Sequence, residues 1–90
     1  MKHNLIKELF HEWQNYINEY LNEFKYFNEF LKEKGYLYEV LAVGKNNLVI
    51  YKVKINDLSY LITDYGINIE IQYHNNKLGV YINLPLSYLG

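Results

Sequence analysis

Cysteine and arginine are absent from this 90-residue chain, and proline and alanine occur once each, at Pro85 and Ala42. Without cysteine there is neither a disulfide nor a thiolate metal site, and the redox compartment stays open. Without arginine the chain lacks the planar fork that holds phosphate or guanine through two hydrogen bonds at once. All nine basic residues are lysine, and the formal net charge is −1. Duplex binding depends on neutralising several phosphates together, and Lys45, Lys52, Lys54 and Lys77 make only a small patch outside the helical N-terminal third. Nucleic acid is therefore not an expected partner. A weak single-strand binder that stacks bases on tyrosines is the variant this composition leaves open.

Long apolar runs are missing too. No stretch reaches the roughly 18 residues needed to span a bilayer, and the opening MKHNLIKELFHEW carries lysine and glutamate where a signal peptide has its apolar core. The expectation is a soluble, cytoplasmic protein with no membrane partner. Catalytic patterns are equally sparse. Ser59, Ser87 and Thr63 are the only aliphatic hydroxyls and none stands in a nucleophile elbow. The five glycines are dispersed and form no phosphate-binding loop. His3 and His11 lie eight apart, not at the four-residue spacing of a paired helical metal site, and with His74 they are expected to be solvated. Asp57 and Asp64 fall at expected turns, where aspartate bonds the local backbone. Glu39 is expected to be partly buried and paired across strands with Lys52 or Lys54. No enzyme, metal or cofactor is expected.

What the chain does hold is apolar and aromatic surface: half of its residues are apolar, 18% are aromatic, and eleven are tyrosine. From Asn4 to Lys34 apolar residues fall at 6, 10, 13, 17, 20, 24, 27 and 31, alternating steps of four and three, which is helical periodicity. Asn4 stands as the N-cap and Gly35 as the residue past the C-terminus. Unbroken, such a helix is about 45 Å long, more than a 90-residue domain can cover. It must either bend near residues 18 to 22 or bury its overhang against another chain.

Beyond Gly35 the period becomes two. Strands are expected over 36–43, 48–55, 58–63, 67–73 and 78–84, joined by GKNN, ND, DYG and HNNK. The third also fits a short helix, since Leu58, Leu61, Ile62 and Tyr65 share helical spacing between Asp57 and Gly66. The fold class is α+β: one long amphipathic helix packed on a five-stranded antiparallel meander, as a single domain. The tail PLSYLG is expected to pack back onto the domain or onto a partner.

The candidate partner-binding residues are Glu8, Glu12, Glu19 and Glu23, an acidic helical stripe with like charges at i, i+4 spacing, together with Tyr81 and Tyr88. Ile50, Leu61 and Tyr81, set beside Lys52, Lys54, Asn68 and Asn83, make the sheet's outer face a polar-rimmed apolar surface of the kind interfaces use. The functional expectation is a non-enzymatic protein-binding module. Its size, its acidity and a residue usage typical of AT-rich coding sequences point to a small inhibitor from a phage, virus or other mobile element. Such a protein would occlude a host nuclease or CRISPR complex. The alternative is a structural protein whose long helix forms a homodimer interface.

Overall fold

The computed structural model describes residues 3–19, 27–66 and 68–90, the side chain of Asn47 aside. Helix α1 spans Asn4–Glu19 and helix α2 Phe27–Glu33. Five strands follow: β1 (Leu37–Val43), β2 (Val49–Ile55), β3 (Leu58–Asp64), β4 (Ile69–Asn75) and β5 (Val80–Leu84). A last turn of helix, α3, covers Leu86–Leu89. The sheet runs β1-β2-β3-β4-β5 with every neighbouring pair antiparallel, the α+β meander expected from the alternating pattern.

Segment 58–64 is a strand and not a helix. Its inward row is Leu58, Tyr60, Ile62 and Asp64, and Ile62 faces Tyr51 on one side and Ile71 on the other. Asp64 is buried, and its Oδ1 accepts the Gly66 N–H at 2.8 Å. Burial raises the Asp64 pKa, while the backbone N–H groups of Gly66 and Phe27 hold it down in part. Asp64 thus makes the local turn contact expected of it and also ties the end of β3 to the helical layer.

The turns obey local chemistry. Asn56 turns β2 into β3 at φ 55° over a two-residue loop, and the β1–β2 loop closes with the Gly44 N–H donating to the Leu48 carbonyl at 2.7 Å. Asn75 Oδ1 accepts the N–H groups of Lys77 and Leu78, and Gly79 (φ 69°) completes the β4–β5 turn. Helix α2 ends as the sequence predicts. Gly35 sits at φ +79°, its N–H donating to the Lys32 carbonyl and the Tyr36 N–H to that of Leu31, the paired bonds of a Schellman cap.

One core lies between the sheet's inner face and the helices. Tyr51, Val53, Tyr60, Ile62, Ile71 and Leu84 of the sheet are buried against Ile6, Leu9, Phe10, Trp13 and Tyr16 of α1 and Phe27, Phe30 and Leu31 of α2. Trp13 is the hub, its ring 5.0 Å from Phe27 and 5.4 Å from Phe30, centroid to centroid. In one straight helix, residues 13 and 30 would stand about 25 Å apart along the axis. Helices α1 and α2 therefore lie beside each other over a shared core, and no straight rod of 30 residues overhangs the sheet. Positions 20–22 of the expected bend, and Ile67 at the start of the expected fourth strand, lie outside the described residues. The tail packs back onto its own domain: Leu89 is buried, and its carbonyl accepts a hydrogen bond from His11 Nε2 at 2.8 Å.

Candidate partner-binding surface

On α1, Glu8, Glu12 and Glu19 recur at steps of four and seven and so share one face. Glu12 is already engaged: its Oε1 accepts the Tyr36 hydroxyl at 2.7 Å. The Tyr36 pKa is raised well above that of a free phenol, first by burial, then by this bond and by the charges of Glu12 and Glu8. Glu12 is thus a tether between α1 and the α2–β1 junction. Glu8 and Glu19 are exposed, and Glu23 lies outside the described residues.

The two tyrosines stand elsewhere. Tyr81 is on the outer face of β5, opposite His74 of β4, with the rings 5.0 Å apart and edge to face. The helical layer and its glutamates occupy the other side of the sheet, so Tyr81 and the acidic stripe cannot meet one flat partner together. Tyr88, on α3, packs inward beneath the Lys7 ammonium, which lies 5.0 Å from its ring centroid. Its neighbour Tyr60 is held by His3 Nδ1 at 2.9 Å, and the His3 ring also lies 4.6 Å from that of Tyr73. His3 is therefore a half-buried structural contact, where a solvated side chain was expected, whereas His11 stays exposed, as expected, while its ring also bonds the Leu89 carbonyl. Lys52 stands directly opposite Glu39, as expected, but Glu39 is exposed, on a strand that has no neighbour on its other side among the described residues. The outer face does carry Ile50, Leu61, Tyr81, Lys52, Lys54 and Asn83 on one surface.

Sequence reasoning missed the state of β1. Its apolar run, YLYEVLAV, was expected as a strand with Glu39 partly buried, yet in the structure β1 is an edge on which Tyr38 alone is even half-buried. Leu37 is 76% exposed, Val40 51%, Leu41 51% and Val43 72%. Register places Leu37 opposite Lys54 on the outer face, and Val40 and Val43 opposite Tyr51 and Val49 on the inner face. A bulge interrupts the ladder between Val40 and Ala42. Helix α2 reaches as far as Tyr51, with Phe27 5.5 Å from its ring, and leaves Val40 and Val43 uncovered. The composition of a strand says that it can be buried; whether a neighbour is present to bury it depends on topology.

A cleft of about 390 Å³ opens on the opposite flank, between Phe10, Gln14 and Ile17 of α1, Ile69 and Ile71 of β4, and Leu86 at the start of α3. Among the described residues, no three His, Asp or Glu side chains cluster as a metal site would require. Also among them, no helix is long and apolar enough to cross a membrane. Comparison of the chain with protein families, with curated proteins and with solved structures returns no match.

Proposed function

We propose that this chain is a protein-interaction module that works by binding and not by catalysis, with the β1 edge as its principal contact. The observation that carries this reading is the exposure of Leu37, Val40, Leu41 and Val43 on an edge strand that pairs, among the described residues, with β2 alone. An edge strand offers a row of unpaired N–H and C=O groups, and a partner strand satisfies that row while apolar side chains on both faces add burial. Glu8 and Glu19 sit on the helical layer and contribute long-range attraction to a basic partner, an effect on association rate that salt weakens. The occlusion of a host nuclease or CRISPR complex rests on size, composition and acidity, and the geometry adds nothing to it.

The test is comparative capture with a tagged chain as bait in a lysate of the cells that encode it. The wild type is expected to retain a protein at fixed stoichiometry that the folded double variant Val40→Lys/Leu41→Lys does not retain. Glu8→Lys/Glu19→Lys is expected to slow capture, most visibly at low salt, without abolishing it. Equal retention by the wild type and the edge-strand variant would defeat the assignment of β1.

A further inference from the structure

The β1 edge and the cleft beside α1 are open surfaces, and nothing in either names what would cover it. The C-terminal tail, which walls that cleft, carries an inference independent of the assignment of β1. It starts from a buried hydroxyl that the fold leaves without a partner.

We propose that residues 85–90 form a strap that releases from the domain as a unit, turning the cleft beside α1 into an open groove. The hinge lies where β5 ends. Leu84 is the last residue of β5 paired with β4, opposite Ile71, and Pro85 has no N–H with which to continue the ladder. Beyond the hinge the tail is held to itself by three backbone bonds, from the Tyr88 and Leu89 N–H groups to the Pro85 carbonyl and from the Gly90 N–H to that of Leu86. No side chain among the described residues caps this four-residue turn, and a helix so short does not persist in water by itself. Its bonds therefore form and break with docking.

Docking rests on few contacts. Leu89, 1% exposed, is the apolar anchor, and its carbonyl accepts the His11 Nε2 bond, whereas Leu86 is 66% exposed and adds little. The Lys7 ammonium covers the Tyr88 ring. Against these stands the Tyr88 hydroxyl, whose oxygen is buried with no hydrogen-bond partner among the described residues. The neighbouring Tyr60 hydroxyl is taken by His3 Nδ1. A phenol gives up its water when the tail docks and recovers it when the tail leaves, so the orphaned group favours release. No other side-chain nitrogen or oxygen among the described residues is buried in this way, which confines the penalty to the tail. Leu86 and Leu89 line the cleft together with Phe10 and Trp13 of α1. Release thus removes one wall and bares Trp13, 2% exposed in the closed form.

Amide hydrogen exchange followed by NMR over a range of low urea concentrations tests the strap. The Leu89 and Gly90 amides are expected to exchange faster than those of Ile62 and Ile71 at the centre of the sheet, and with little dependence on urea, because release exposes little surface. Tyr88→Phe keeps the ring and deletes the hydroxyl, so it should slow exchange of the tail amides about tenfold. Leu89→Ala removes the anchor, and should leave the tail amides unprotected and raise acrylamide quenching of Trp13, the sole tryptophan, while Ile62 and Ile71 stay protected. Tail amides that exchange at the rate and urea dependence of the sheet show that the tail leaves only with global unfolding, and overturn the proposal. Exchange in Tyr88→Phe as fast as in the wild type, or faster, shows that the hydroxyl is satisfied in solution, by a bound water for instance, and removes the reason for release. Quenching unchanged in Leu89→Ala, with its tail amides unprotected, shows that Trp13 stays covered without the tail and defeats the groove.

Discussion

Tyr36 and Glu12 show how a residue read from sequence as an outward charge can be a structural tie. Glu12 was one of four glutamates on an acidic stripe, and nothing in the helical pattern distinguishes it from Glu8. The structure does, because the chain leaving α2 brings Tyr36 to within 2.7 Å of the Glu12 carboxylate. Glu12→Ala removes a charged acceptor and leaves a half-buried phenol without it, so a loss of about 1 kcal/mol is expected, at the lower end for such bonds because the site is partly solvated. Glu8→Gln and Glu19→Gln should stay within about 0.5 kcal/mol of the wild type. Urea denaturation of the three variants checks this. Equal losses at all three positions would mean that the Tyr36 contact contributes nothing measurable.

At the scale of elements, the places where the sequence was legible are those where local chemistry and tertiary packing agree. The meander follows from alternation broken by Asn and Gly, and the end of α2 follows from Gly35. There the positive φ does the work, since a Cβ at Gly35 would meet nothing within 4 Å. Gly35→Ala is thus a test of backbone conformation free of steric clash. Its expected cost is about 1 kcal/mol, the penalty for an L-residue in the left-handed region. Gly35→Asn should cost less, because asparagine tolerates that conformation; thermal unfolding of both variants decides. The third strand was harder to read for a physical reason. Its outward Leu61 is apolar like the inward Leu58 and Ile62, so these residues fall at helical spacing as well as along a strand. Whether the helical layer was bent or continuous was left open by the sequence, because α2 continues the three–four spacing of α1 with neither proline nor glycine between them. Periodicity reports which side of a helix is buried, and the Trp13–Phe30 contact that sets the two segments side by side has no local signature.

For the whole molecule, the decisive property is that one core joins all the layers, and the tyrosines in it give that core a pH signature. Tyr51 and Tyr60 are almost fully buried. Burial pushes both pKa values up to about 12, assisted at Tyr51 by the charge of Asp64 and at Tyr60 by the neighbouring Tyr88. An unfolded tyrosine loses its proton near pH 10, so between about pH 10 and 12 the unfolded state binds fewer protons than the folded one. Stability is then insensitive to these groups below pH 10 and falls as pH rises through the window, by up to about 1.4 kcal/mol per pH unit for each. With a total stability of about 5–10 kcal/mol, the two together can unfold the domain before either ring ionises in place. Trp13, the sole tryptophan and buried at the hub of both helices, reports the transition by fluorescence, and far-UV circular dichroism should follow the same curve if helices and sheet unfold as a unit. Tyr51→Phe is expected to lower the alkaline slope by one group's share while leaving the fold intact, because its ring contacts with Phe27 and Tyr38 remain possible. A slope unchanged in that variant would show that Tyr51 titrates as freely in the folded chain as in the unfolded one. The shared core would then be looser at the α2–β2 contact than the ring distances imply.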